Sequence, residues 1–188
     1  MTLPPKATSV SEDGQPDGYT PPASWAAEVI PGGYTRLVVS VPSGQLEAVH
    51  QALVDALTVP YRVLYMQLVD RSRGIQLDPP RQFVGLEIEP ATLSLALSTH
   101  RALVYHDGRH QLWVQGKGED KIVMEETGVL YVYPDDPLFR EVLVAQGISE
   151  STVEPMSERD YVRVDYIAEA DPEEASLHRA LGLVRYGD

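Results

Sequence analysis

The chain contains no cysteine at all. That excludes a disulfide scaffold, a thiolate metal site and a cysteine nucleophile. Lysine is nearly absent too: Lys6, Lys117 and Lys121 stand against twelve arginines, a skew that GC-rich coding produces and that assigns no function. Only two phenylalanines occur, although there are ten tyrosines. No apolar run approaches the ~18 residues of a membrane span, and the start, Met1-Thr2-Leu3-Pro4-Pro5-Lys6, lacks the apolar stretch of a secretory leader. The expectation is a cytoplasmic protein that does not enter a membrane.

What is present is acid. The 188 residues carry 28 Asp and Glu against 15 Lys and Arg, a formal net charge of −13. Such a surface repels phosphate backbones and anionic lipid heads, which argues against nucleic acid and membranes as partners. The charge is uneven: residues 60–110 hold six Arg against five acids, whereas residues 149–188 hold ten acids against four Arg. With 43% hydrophobic and 23% charged residues, the chain is a globular one, long enough to bury a core of its own.

Residues 1–24 are rich in Pro, Ser, Asp and Gly and read as an extended arm, with a single domain from 25 to 188. Along that domain the two hydrophobic periods alternate. Strands are expected at 35–41 (TRLVVSV), 61–70 (YRVLYMQLVD), 83–89, 122–124, 129–133 (VLYVY) and 161–167. Helices are expected at 43–57, with Ser43 as its cap, at 90–100 behind Pro90, after Asp136-Pro137, and after Asp171-Pro172, where Leu177, Leu181 and Val184 would form a buried stripe. Residues 102–106 and 111–115 read as two arms of a hairpin turning at Asp107-Gly108. Because hairpins interrupt the strand–helix alternation, the expected class is α+β, a mixed or mostly antiparallel sheet with about four helices packed on it.

Sequence motifs for catalysis are missing. Gly116-Lys117-Gly118 is followed by acids rather than by a Ser or Thr opening a helix, so it is no phosphate loop. Ser43-Gly44 lacks the flanking glycines of a nucleophile elbow. His100, His106, Asp107 and His110 supply ligand types that zinc accepts. A two-residue turn at Asp107-Gly108, the usual use of that pair, would send His106 and His110 to opposite faces, whereas a three-residue loop would bring them together as candidate metal ligands. Glu125-Glu126 and Asp135-Asp136 carry oxygen ligands without an EF-hand spacing.

The stretch 71–82 (RSRGIQLDPPRQ) reads as a long loop between two strands. Its Arg71, Arg73 and Arg81 have planar forks suited to carboxylates or phosphates, unless they simply pair with the chain's own acids. Tyr131 and Tyr133 share a strand face, and tyrosine serves well at interfaces. The favoured reading is therefore a non-catalytic protein-binding module, such as a regulator, an inhibitor of the immunity kind or an assembly component. It would use Arg71, Arg73, Arg81, Tyr131 and Tyr133 against another protein, or against a second copy through the arm, without a cofactor. The alternative is a small-molecule enzyme or sensor in which the Arg loop and the His cluster hold an anionic ligand.

Overall fold

The structure, a computed structural model, describes residues 3–163 and 167–187. Eleven strands and five α-helices are assigned among them: β1 (Ala7–Ser9), β2 (Ser24–Val29), β3 (Thr35–Ser40), α1 (Ser43–Asp55), β4 (Tyr61–Asp70), β5 (Ile75–Ile88), α2 (Pro90–Thr99), α3 (Arg101–His106), β6 (His110–Gln115), β7 (Lys121–Met124), β8 (Leu130–Tyr133), α4 (Pro137–Ala145), β9 (Ser149–Glu150), β10 (Tyr161–Arg163), α5 (Asp171–Ala180) and β11 (Val184–Arg185). Nine strands form one sheet in the order β11-β5-β4-β6-β7-β8-β3-β2-β9, and β1 pairs with β10 in a small second sheet. Only β2 and β9 run parallel; the class is α+β with a mixed, mostly antiparallel sheet, as the sequence led us to expect. No helix among the described residues is long and apolar enough to cross a membrane.

Strand register sorts the side chains into transverse rows, since directly paired residues project to the same side of a sheet. One row runs Phe83–Tyr65–Leu112–Met124–Leu130–Val39–Trp25 and the next runs Val63–Val114–Ile122–Val132–Leu37. Nearly all of these are buried, and they form a single core with Leu46, Val49 and Leu53 of α1, Leu93 and Leu97 of α2, Phe139 and Leu143 of α4, and Leu177 of α5. The helices thus lie on one face. Residues of the opposite face, Leu64, Val84, Trp113, Val123, Tyr131 and Val38, take no part in that core.

Several expectations need correction. Residues 101–106 are helical, not a hairpin arm, and β6 pairs with β4 and β7 instead. Ala102 to His106 are all buried, and a fully buried run has no polar face from which to read a period. Asp107-Gly108 is therefore a crossing point rather than a turn: a Cβ on Gly108 would lie 2.9 Å from the Lys6 carbonyl oxygen and 3.2 Å from that of Glu126. The supposed loop at 71–82 is a tight turn at 71–74, where Gly74 takes φ 65°, followed directly by β5. Pairing passes from Val69↔Gln76 to Gln67↔Arg81, so residues 77–80, with Pro79 and Pro80, are accommodated in a bulge that needs no ladder N–H from proline. Pro42, not Ser43, occupies the cap of α1, and no side chain caps it. Val184 belongs to β11 and is 67% exposed. Of the expected strand at 161–167, Tyr161–Arg163 is formed, and 164–166 lie outside the described residues.

Residues of the amino-terminal stretch lie against the rest of the chain. Lys6 is buried, its Nζ donating to the carbonyls of Val104 at 3.0 Å and Asp107 at 2.8 Å. A cation at the carboxyl end of α3 meets the negative pole of that helix. Burial still lowers its pKa to about 8.

Candidate functional site: an open sheet face and an arginine-bearing cleft

The residues singled out in the sequence separate into two places. Arg71 and Arg81 reach a cleft on the helix side, at the end of the β4–β5 hairpin and beneath the first turns of α5. The register places Arg81, Gln67 and His110 in one row of the inner face. Tyr131 and Tyr133 alternate with the buried Leu130 and Val132 and so face the other side of the sheet. Arg73 stays 68% exposed in its side chain and stands 3.7 Å from Asp70, an exposed pair of the kind that contributes little.

The cleft arginines are held by the chain's own carboxylates. Arg71 makes a two-pronged pair with Asp171 at 2.8 Å on each prong, and Arg81 donates to Asp70 at 2.8 Å and to Gln67 at 3.4 Å. Beneath them sits Arg109, wholly buried, which the sequence reading passed over because it fell in the supposed hairpin. Its Nε and Nη2 donate to Asp107 at 2.8 and 2.6 Å, and Nη2 also lies 3.0 Å from Asp171. Glu174, one turn along α5, accepts from Tyr65 at 2.7 Å and from Gln67 at 3.2 Å.

These contacts set the charges. The Arg71 guanidinium, by hydrogen bonding, holds the Asp171 carboxyl below its ordinary value, and the Ser72 hydroxyl does the same for Asp70. Burial raises Glu174 and pushes the Tyr65 hydroxyl well above the usual phenol range. Arg109 keeps its charge: burial disfavours it, but the hydrogen bonds and charge of Asp107 more than offset that.

The metal candidates do not combine. His106 Nδ1 lies 2.7 Å from the Pro4 carbonyl, whereas His110 stacks on Tyr65 with ring centroids 4.6 Å apart. Among the described residues no group of three or more His, Asp or Glu side chains is placed to hold a metal ion. Asp136 is engaged as the cap of α4, accepting from Leu138 N at 2.8 Å, and Asp135 is paired with Arg140 at 2.7 Å.

On the opposite face, one row crosses eight strands without a polar residue: Val184–Val84–Leu64–Trp113–Val123–Tyr131–Val38–Ala26. The row beside it, Arg62–Gln115–Lys121–Tyr133, adds two cations and an aromatic ring. Lys121 Nζ lies 4.8 Å from the Tyr133 ring centroid and 5.8 Å from that of Trp113. Arg36 covers Tyr131 at 3.8 Å, donates to the Tyr133 hydroxyl at 2.7 Å and pairs with Glu28 at 2.6 Å. Two hollows flank the row. One of about 650 Å³ lies between Tyr131, Val38 and Ala26 and the passing chain at 150–158; another of about 260 Å³ lies between Trp113, Leu64, Val84 and Tyr186. Comparison with family models, with curated proteins and with solved structures finds no match for this chain.

Proposed function

We propose that the chain is a non-catalytic protein-binding module, acting as a regulator, inhibitor or assembly component, and that its open sheet face is the binding surface. The observation that carries the proposal is the apolar row across eight strands on the face opposite α1–α5, in which Val184 is exposed, Val84, Leu64, Trp113, Tyr131 and Ala26 are half-buried, and Val38 and Val123 are buried. Seven inter-strand steps of ~4.8 Å make the row ~34 Å long; the chain at 150–158 lies over its Tyr131–Val38–Ala26 end, and the Trp113–Leu64–Val84 end borders the second hollow.

The chemistry of the face selects its occupant. Around Tyr131 this face pairs Arg36 with Glu28 and carries Glu150 and Glu158, whereas around Trp113 and Tyr133 it carries Arg62 and Lys121. The fitting partner is a different protein with an apolar stripe that sets a carboxylate against the Arg62–Lys121 end. Tryptophan, tyrosine and arginine are the residue types that dominate interface energetics. The cytoplasm is the place of action under this reading; cell fractionation tests it.

The test is affinity purification from source cells at moderate salt with the wild-type chain, Trp113→Ala/Tyr131→Ala and Arg71→Gln. A stoichiometric protein partner should be retained by wild type and by Arg71→Gln. It should bind the face variant about thirtyfold more weakly, as for loss of one hot spot of ~2 kcal/mol. Capture of no stoichiometric protein, equal capture by the face variant, or self-association of the purified chain through this face would overturn the proposal.

A further inference from the structure

Seven buried polar side-chain atoms lack a hydrogen-bond partner among the described residues, and four of them belong to Arg109, His110 and His178. These three residues gather around Tyr65 and Glu174. His178 stands edge-on to the Tyr65 ring at 4.7 Å and leans on Phe83 at 4.4 Å, its Nε2 unpartnered. Arg109 spends Nε and Nη2 on carboxylates, but Nη1 has no hydrogen-bond partner. Glu174 Oε2 lies 3.8 Å from it, within ion-pair distance but beyond hydrogen-bond reach. Glu174 accepts its two hydrogen bonds on Oε1, so Oε2 and Nη1 face each other across a gap. Buried charged groups are rarely left so, because each unmade bond carries the desolvation penalty of its atom.

Both groups line the cleft described above, whose volume of about 420 Å³ falls within the ~300–1,000 Å³ of small-molecule sites. Its wall alternates Arg71, Arg81 and Arg109 with Asp70, Asp171 and Glu174, and Phe83 and Ala175 supply an apolar side. A simple anion entering it meets three carboxylates, and a simple cation meets three guanidinium groups. A molecule bearing both charges close together meets a complement for each. In an α-amino acid, standard bond lengths put a carboxylate oxygen and the ammonium nitrogen ~3 Å apart, which suits a donor and an acceptor separated by 3.8 Å.

We propose that the cleft binds a small zwitterion of the free α-amino acid kind, with its carboxylate on Arg109 Nη1 and its ammonium on Glu174 Oε2. Arg109 is closed to solvent; the Asp171 carboxylate, 42% exposed, lies 3.0 Å from its Nη2 and pairs with Arg71, itself 25% exposed. Entry requires this partly exposed Arg71–Asp171 pair to give way, and such pairs are weak enough to be exchanged. Phe83 and Ala175 then face the ligand's own side chain. This site lies on the helix side of the sheet and does not depend on the binding face proposed above.

The experiment is a thermal-shift and calorimetric titration of the full chain with a panel of free L-amino acids. Propionate, ethylamine and inorganic phosphate serve as probes carrying charge of one sign. At least one amino acid should raise the Tm and bind, while the single-sign probes at equal concentration should not. Glu174→Gln, isosteric but uncharged, should weaken that binding about tenfold or more. Asp171→Asn, which removes the competing carboxylate, should tighten it. If no amino acid moves the Tm of wild type up to about 10 mM, the proposal fails. It fails equally if propionate or phosphate stabilises the protein as well as any amino acid does, a readout that needs no variant to fold.

Discussion

Acidification from pH 7 to pH 5 should destabilise this protein through its buried histidines. His50 is completely buried beside Tyr105, with Nδ1 3.1 Å from the tyrosine hydroxyl, and burial lowers its pKa from 6.5 to about 3. His110 is as deeply buried, both ring nitrogens lacking partners, and burial drives it well below 6.5. In the unfolded chain the same side chains take up protons near pH 6.5. Below that pH the unfolded state therefore binds more protons than the folded one, so stability falls as pH falls, until the folded pKa is reached. At pH 5 the loss is ~1.5 pH units at ~1.4 kcal/mol each, or about 2 kcal/mol per histidine.

His50 and His178, the latter lowered by burial to about 4, together cost about 4 kcal/mol at pH 5, and His110 acts in the same direction. Against a total stability of ~5–15 kcal/mol, that is a large fraction. Glu125 and Glu174, raised by burial, take up protons above 4.5 in the folded state and so offset part of this loss, whereas Asp17, Asp70 and Asp171, held low by hydrogen bonds, lose their stabilisation only below 3.8. Urea denaturation followed by circular dichroism at pH 7, 6 and 5 measures the effect. With a slope of ~2 kcal/mol per M, the midpoint should drop by about 2 M. His50→Leu should flatten the pH dependence by about 2 kcal/mol at pH 5, whatever it does to stability at pH 7. A midpoint that shifts by less than about 0.5 M would refute the reasoning, because neutral histidines would then not be a property of the folded state.

Two substitutions probe the packing more directly. Arg109→Met leaves the Asp107 carboxylate, itself closed to solvent, without its counter-charge and should cost about 3–5 kcal/mol. The double variant with Asp107→Leu should be less destabilised than the sum of the two single variants, and a denaturation-based double-mutant cycle measures that coupling. Gly85→Ala would set a methyl 2.7 Å from the Leu181 carbonyl oxygen and 2.9 Å from Leu183 Cδ2. It should cost about 1–3 kcal/mol by pushing the segment after α5 away from β5; an unchanged unfolding midpoint would show that the segment gives way freely.

Much of the fold can be read from local pattern because a side chain's period is a local property. The alternation in 35–40, 61–70 and 130–133, the spacing of Leu46, Val49 and Leu53, and the cap at Asp136 each record a conformation that a few neighbouring residues choose together. Alternation also shows which tyrosines share a face: Tyr61 with Tyr65, Tyr131 with Tyr133. It does not show which face, and the two pairs end on opposite ones, the first in the core and the second outside.

The site was harder to read, because its residues are chosen by distant chain. Arg71, Arg73 and Arg81 look equivalent in a Pro- and Gly-bearing stretch. Strand pairing makes them a rim ion pair, an exposed side chain and an inner-row neighbour of Gln67. Ala102 to His106 carries no polar face, so burial on every side erased the period that separates helix from strand. Arg109 is ordinary in sequence; it becomes the centre of the cleft only because α5 brings Asp171 and Glu174 to it beside its near neighbour Asp107. Amino-acid order alone thus determined the elements and their amphipathic faces, which depend on neighbours a few residues away. Which charges meet, and which aromatic rings stay outside the core, was decided by the register of the sheet and by the side on which the helices pack.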